Sequence, residues 1–261
     1  MEKLPISVSM ISGPEVERIG RALQSVAEWT CEIIVVLNHD ANDGTEEVAR
    51  EFGAKVYREP WKGYLAQKNS AADKSTQDWI FNLDADESVS TELRDELKNF
   101  FSERANRERF TAISFPRLSW YCGRWIHHGD WYPDRQTRIW RKGKARWGGI
   151  DPHAKLILDG PVRHLKGDLH HFSTDSINRR LQKIIPFSDE FVLQNSAAST
   201  PGPFDLWLRP AWRFFRAYFI KLGFLDGWQG YYIARHTAFS TLVRYAKLRE
   251  ARLKQKIPPT L

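Results

Sequence analysis

The 261 residues include only two cysteines, Cys31 and Cys122. That is too few for a disulfide framework, so a reducing compartment, the cytoplasm, is expected. No run of about 18 apolar residues occurs, and no membrane-spanning helix is predicted. The opening Met1-Glu2-Lys3-Leu4-Pro5 has no signal-peptide apolar core, so no leader is expected. Neither Gly-x-Gly-x-x-Gly nor a Walker loop is present, which argues against a dinucleotide enzyme and a P-loop NTPase. Six histidines fall between His127 and His171, but none has the spacing of a Cys/His zinc site. Internal repeats, low-complexity tracts and the signatures of DNA- or RNA-binding modules are also missing.

What is present is a chain of one large domain, or one domain with an appendage. Hydrophobic residues make up 42%, enough for a substantial core, and eleven Trp, fifteen Phe and eight Tyr are many aromatics for this length. The net charge is +7. A basic balance favours acidic partners: nucleotides, nucleic acid or an anionic membrane.

The first half alternates. Ile6 to Ile11 is predicted as a buried strand, and Ser12-Gly13-Pro14-Glu15 after it has capping-box spacing ahead of a helix to about Ala27. Glu32 to Leu37 is nearly all apolar, as a strand covered on both faces should be. A helix over 45–52, a short strand at Lys55-Val56-Tyr57 and a helix over 65–72 follow. A fourth strand ends in Leu83-Asp84-Ala85-Asp86-Glu87. Strands alternating with helices imply a parallel sheet with right-handed crossovers. The carboxyl ends of such strands face the ligand crevice. There, Asp84 and Asp86 offer hard oxygen donors suited to Mg²⁺ or Mn²⁺ shared with substrate phosphates. A solvated turn before a helix start at Ser88 to Glu92 is the plainer reading of the same residues.

The ordered set of motifs carries a resemblance. Glu15 follows the first strand, and Glu32-Ile-Ile-Val-Val leads to Asp43-Gly44-Thr45. Pro60-Trp61-Lys62-Gly63 precedes Ala66-Gln67-Lys68-Asn69-Ser70-Ala71, and Asp78-Trp79 leads into Leu83-Asp84-Ala85-Asp86-Glu87. This half resembles the nucleotide-sugar half of a family 2 glycosyltransferase, closest to the lipopolysaccharide-core branch. The resemblance implies a GT-A-type α/β fold with a mostly parallel central sheet, and sugar transfer with inversion. It places Ser12, Glu15, Asn38 and Asp40 at the base and ribose, Lys68 at the nucleotide, Asp84 at ribose or metal, and Asp86 at the metal. The chain departs from the family pattern in having Ile11-Ser12-Gly13-Pro14 before the glutamate, and Asn38 where an aspartate typically reads the base. Asn38 still offers a carbonyl to a base N–H, without charge.

The second half is rich in Trp, Arg and Gly. Trp131-Tyr132-Pro133-Asp134 to Arg138 resembles the family's acceptor-side segment; alternatively, Arg138 braces Asp134. Trp147-Gly148-Gly149-Ile150-Asp151-Pro152-His153-Ala154 stands where relatives carry Val-His-Glu, so His153 is kept and Ala154 replaces the glutamate. An inverting transfer needs a carboxylate to take the acceptor's proton. Asp151 is the first candidate and Asp134 the second. His171 is expected at the diphosphate or the metal. Glycines at 148 and 149 would let backbone approach a ligand. After the small-residue linker from Ser196 to Pro203, Arg209, Arg213 and Arg216 share one helical face beside a broad aromatic face. That pattern suits a helix lying in an anionic membrane interface, or a packing helix with snorkelling arginines.

The expected division is a GT-A domain over 1–195 and a helical appendage over 196–261. The expected function is metal-dependent transfer of a sugar from a nucleotide-sugar donor to a lipopolysaccharide-core or other lipid-linked glycan, in the cytoplasm or at the inner face of the cell membrane. A sugar-1-phosphate nucleotidyltransferase is the enzyme alternative, but Ser12-Gly13-Pro14 lacks its Gly-rich basic phosphate loop. A nucleic-acid-binding protein is the alternative from another class, although no nucleic-acid partner is expected.

Overall fold

The computed structural model describes residues 3–150, 153–173, 176–197 and 199–254. The chain divides into two units, Met1–Arg117 with Asp134–Phe172, and Leu118–Pro133 with Ser173–Leu261. The boundary expected at 195/196 falls inside the second unit.

The first unit opens with β1 (Leu4–Ser12), α1 (Val16–Gln24), β2 (Thr30–Asn38), α2 (Thr45–Glu51), β3 (Lys55–Glu59), α3 (Tyr64–Asp73) and β4 (Trp79–Asn82). After β5 (Glu87–Val89), α4 (Thr91–Ser102) and α5 (Arg104–Arg109) comes β6 (Ala112–Tyr121), whose last residues pair with β7 (Arg124–Ile126) in the second unit. The first unit resumes with β8 (Asp134–Arg141), β9 (Ala145–Ile150), β10 (His153–Leu158), β11 (Val162–His164) and β12 (Leu169–Phe172). The sheet runs β3-β2-β1-β4-β8-β6-β12-β5. Its β3-β2-β1-β4 half is parallel throughout, as the apolar strands predict. β8 pairs antiparallel with β4 and with β6. Val8, Met10, Ile34, Val35 and Phe81 are fully buried, which accounts for strands that lack polar alternation.

The helix predicted after Asp86 is α4. Ser90 caps it by accepting from Leu93 N at 3.1 Å, and Leu93, Leu97 and Phe101 point inward. Trp79 meets the rings of Phe100 and Phe101 edge-on, fixing α4 under β4.

The second unit is mainly helical: α6 (Ile177–Gln194), α7 (Pro203–Phe215) and α8 (Gly227–Lys254). Between α7 and α8 a π-turn, Arg216–Ile220, and a 3₁₀ turn, Gly223–Asp226, break the helix. Gly227 has φ +66, a conformation that favours glycine. Asp130 binds Arg213, Arg216 and Lys221 at 2.9–3.2 Å. Buried Asp226 accepts from the backbone and ring of His128. Of the described helices none is long and apolar enough to cross a membrane.

Candidate active site

Strands are added to one side of β1 as β2 and β3, and to the other side as β4. That reversal opens a crevice at the carboxyl ends of β1 and β4. A cleft of about 720 Å³ lies there. β1 and its turn supply Ser12 and Glu15; β2 and its turn supply Asn38 and Asp40. Lys68 comes from α3, Asp84 and Asp86 from the turn after β4, and His171 from β12. Eight of the residues singled out in the sequence therefore line one cavity.

The Asp43-Gly44-Thr45 turn explains how Glu15 is placed. Thr45 Oγ1 accepts from Glu15 N at 2.8 Å, and Asp43 Oδ2 accepts from Val16 N at 3.1 Å. Gly44 takes φ +95 to make this turn. The N-terminus of α1 is thus capped from the neighbouring loop. The capping box expected within Ser12–Glu15 is not formed; the Ser12 hydroxyl bonds the carbonyl of Gly13 instead. Asn38 Oδ1 is buried with no hydrogen-bond partner, on a residue that lines the cleft.

A chain of alternating charges runs back from the cleft. Asp84 Oδ1 accepts from Lys68 Nζ at 2.9 Å, and Asp84 Oδ2 accepts from Arg138 Nη2 at 2.8 Å. Arg138 also reaches Glu87 Oε1 at 2.8 Å and Asn82 Oδ1 at 3.1 Å. Arg117 joins Glu87, at 3.4 Å, to Asp134, at 2.7 Å. Burial alone would raise the Asp84 carboxyl, but the charges of Arg138 and Lys68 outweigh it and hold that carboxyl far below its usual range. Asp84 is therefore ionised, with both oxygens engaged.

This geometry changes two expectations. Arg138 is only 4% exposed and does not line the cleft; it acts there through Asp84. The brace on Asp134 is Arg117, not Arg138. β6 and β8 pair antiparallel with Arg117 opposite Asp134, which puts the two side chains on one face.

Asp86 and His171 meet because β12 pairs with β5, setting His171 opposite Glu87. Phe172 N donates to Asp86 O at 2.8 Å, and His171 Nε2 stands 3.3 Å from Asp86 Oδ2. At that ion-pair distance the carboxylate and the imidazole are side chains that could hold a Mg²⁺ or Mn²⁺. No group of three or more His, Cys, Asp or Glu side chains able to hold a metal ion is found among the described residues. Asp84, spent on Lys68 and Arg138, is the weaker part of the expected metal set.

Asp134 Oδ2 takes two hydrogen bonds from Arg117, and Oδ1 takes one from Gln136 at 2.7 Å. Asp151 and the side chain of His153 lie outside the described residues. β9 and β10 pair up to Ile150 and His153 on either side of Asp151. Gly148, expected to admit a ligand, faces its own hairpin: a Cβ there would stand 2.4 Å from Ile157 Cδ1. Asn69 pins β9 to α3 through both the carbonyl and the N–H of Trp147. Lys68 Nζ sits 4.9 Å from the centre of the Trp147 ring, a cation–π contact that keeps the ammonium turned to Asp84.

The sequence reading gave no role to Trp61 and Tyr64, which line the cleft with half-exposed rings packed edge-to-face at 4.8 Å. Two aromatics around a lysine and a glycine at a helix start were the available signal; Gly63 caps α3 with φ +89. Glu87, the last residue of the Leu83–Glu87 motif, has no assigned role in the sequence, yet it is buried and joins Arg138, Arg117 and the Asp84 N–H.

Residues 7–165 match the family model described as Glycosyl transferase family 2. The chain belongs to this family. It is a glycosyltransferase with a GT-A-type α/β fold. An uncharacterized glycosyltransferase of Rickettsia felis is 33% identical over 98% of this chain and 93% of the relative. A Rhizobium meliloti protein named lipopolysaccharide core biosynthesis glycosyltransferase LpsC is 26% identical, covering 94% of each chain. Among solved structures, S. aureus TarS 1-349 in complex with UDP-GlcNAc superposes with a TM-score of 0.51 and 12% identity, covering 99% of this glycosyltransferase and 93% of that chain.

Proposed function

We propose that this glycosyltransferase moves a sugar, with inversion, from a nucleotide-sugar donor to a lipopolysaccharide-core or other lipid-linked acceptor, with Mg²⁺ or Mn²⁺ held by Asp86 and His171. The observation that carries the reading is the convergence of Ser12, Glu15, Asn38, Asp40, Lys68, Asp84, Asp86 and His171 on one cleft. The relation to LpsC supports the acceptor class. In this reading the orphaned Asn38 Oδ1 takes an N–H of the base, Trp61 and Tyr64 offer apolar ring faces to base or sugar, and Lys68 and Asp84 hold the ribose and diphosphate end. An ion held there would supply Lewis-acid stabilisation of the charge that grows on the departing diphosphate. Asp151 takes the acceptor hydroxyl's proton; Asp134 ranks second, because three donors already occupy most of its lone-pair positions.

The helical unit supports contact with a membrane. One face of α7 bears Phe204, Trp207, Leu208, Trp212 and Phe215, and this apolar face points outward: Trp207 is 79% exposed and Phe204 65%. α7 has no buried residue. A soluble helix normally turns such a stripe inward, and exposed apolar patches of this kind mark membrane or partner surfaces. The proposed location is accordingly the cytoplasm, with attachment at the inner face of the cell membrane.

A screen of nucleotide-sugar donors with Mg²⁺, Mn²⁺ or excess chelator, following released nucleoside diphosphate, tests the chemistry. Metal-dependent release from one donor is expected. Release of pyrophosphate from a nucleoside triphosphate and a sugar 1-phosphate would replace the reading with a nucleotidyltransferase.

A further inference from the structure

Most of the chain's positive charge has no part in the donor cleft. The unit of residues 118–133 and 173–261 contains 15 Lys and Arg against 7 Asp and Glu, so the whole +7 of the chain resides there. Within that unit α6, α7 and α8 enclose a pocket of about 500 Å³. Its wall carries Arg180 and Lys183 from α6, Arg209 and Arg213 from α7, and His236 and Arg244 from α8. No carboxylate is among the described residues of the wall. Arg209 and Arg213 are held at Nε by Asp205 and Asp130, which stand outside the lining. Arg180 lies over the Trp131 ring at 4.1 Å, and Arg244 over Phe191 at 6.0 Å. The guanidinium groups are thus oriented before any ligand arrives. His236 Nε2 is buried without a hydrogen-bond partner.

Five basic side chains converge on one cavity, Arg209 and Arg213 each engaged by a carboxylate at Nε, and an anion is the ligand such a wall attracts. Guanidinium forks match the paired oxygens of phosphate. The pocket also shares its walls with apolar surface. Trp212 and Arg209 border it and belong equally to the outward patch of Phe204, Leu208 and Phe215. His236 also lines a groove with Phe214, Phe239 and Leu242. A ligand seated here has an anionic head and an apolar body beside it.

The geometry points to a phosphate-binding subsite in the helical unit that takes the phosphate monoester of a membrane-embedded lipid, with the lipid's apolar part against α7. This extends the reading that the helical unit meets a membrane. It assigns recognition of a particular headgroup to Arg180, Lys183, Arg209, Arg213, Arg244 and His236, where general surface attraction would need no pocket. A monoester carries a charge of about −1.5 to −2 and three acceptor oxygens, against one charge and fewer free oxygens for a diester.

The test uses the full chain and phosphatidylcholine vesicles doped with either phosphatidic acid or phosphatidylglycerol, matched in surface charge. The wild type should bind phosphatidic acid vesicles about tenfold more tightly, the scale of one added charge-assisted pair. Lys183→Gln with Arg244→Gln should bring that ratio close to one. Arg179→Gln with Arg235→Gln removes the same charge outside the pocket and should weaken binding to both vesicles while leaving the ratio intact. Circular-dichroism melting establishes that each variant is folded. If wild type binds both vesicles equally, or if the control pair erases the ratio as well, the subsite is refuted while membrane contact stands. If no vesicle is bound even at low salt, the membrane reading fails and the subsite with it. Inorganic phosphate at low millimolar concentration that abolishes the preference would show a site for soluble phosphate and overturn the assignment to a lipid.

Discussion

Arg138→Met would remove the guanidinium that joins Asp84, Glu87 and Asn82 beneath the cleft. Methionine fills a similar volume, so the perturbation is mainly one of charge and hydrogen bonds. Breaking a buried ion pair by deleting one partner costs about 3–5 kcal/mol. The lower end applies here, because Asp84 keeps Lys68 at 2.9 Å and Glu87 keeps Arg117 at 3.4 Å and the Asp84 N–H at 3.2 Å. A loss of about 3 kcal/mol would lower a urea midpoint by roughly 1–2 M. The sign of the pH dependence is a sharper test. In the wild type the Asp84 carboxyl is held below its ordinary value. Its contribution is therefore complete above the unfolded value of about 4 and fades only as pH falls below it. In the variant, burial no longer has Arg138 opposing it and pushes the Asp84 carboxyl up. Asp84 takes up a proton as pH falls from 7.5 to 5, and the variant regains stability. The gap between the two proteins should narrow on acidification. Arg138→Lys restores the charge without the fork and should recover only part of the loss. Urea unfolding followed by circular dichroism at pH 7.5 and pH 5 decides the matter: a gap of equal size at both values, or none at either, would refute the account of Arg138 as the residue that holds Asp84.

Asp86→Asn should abolish metal-dependent release of nucleoside diphosphate while leaving the unfolding midpoint unchanged, because Asp86 lies on a partly exposed turn; full turnover in excess chelator would remove the metal role. Asp151→Asn should cut turnover about 10²-fold or more with donor affinity preserved, and Asp134→Asn should do less; the reverse order of effects would move the proton acceptor to Asp134. Trp207→Ser with Trp212→Ser, both on the outward face of α7, should weaken binding to anionic vesicles without lowering the melting temperature; a lowered melting temperature with unchanged vesicle binding would make that face a packing surface.

The parallel half of the sheet was legible because its strands are short apolar runs separated by turn residues, and burial on both faces leaves little other reading. Ser12, Glu15, Asn38, Asp40, Asp84 and Asp86 were legible because they stand at the carboxyl end of a strand or in the turn that follows it, where topology fixes the direction; Lys68, on α3, and His171, on β12, were legible only through the family resemblance. Arg138 was misassigned for a physical reason. It sits in a segment of Trp and Arg near Asp134, but alternation along β8 and pairing with β4 turn it toward Asp84, and the register of two antiparallel pairings is not visible in a local pattern. Gly148 invited a ligand reading, whereas its lack of a side chain makes room for Ile157 across a hairpin. Trp61 and Tyr64 were passed over because exposed aromatics before a helix look the same whether they flank a cavity or not.

The distribution of charge separates the partners that net charge alone leaves open. The unit that holds the donor cleft carries 24 Lys and Arg against 25 Asp and Glu, and several of its cations are tied to carboxylates: Lys68 to Asp84, Lys74 and Lys62 to Glu59, and Arg58 to Glu46. Burial would raise Glu59, but its lysine and serine hydrogen bonds hold it at about 2. A nucleotide sugar in this cleft would accordingly be selected by placed donors and acceptors and a metal, since no surplus of charge is there to draw it in. The surplus lies in the helical unit, interleaved with exposed Trp and Phe. Basic and aromatic residues together also suit single-stranded nucleic acid, where bases stack on rings. The exposed set, however, includes Leu208, Ile220, Leu222 and Leu225, aliphatic side chains with no ring face to offer a base, which in the proposed reading meet acyl chains. Charge beside such a surface favours an anionic lipid interface, which is where a lipid-linked acceptor would be met.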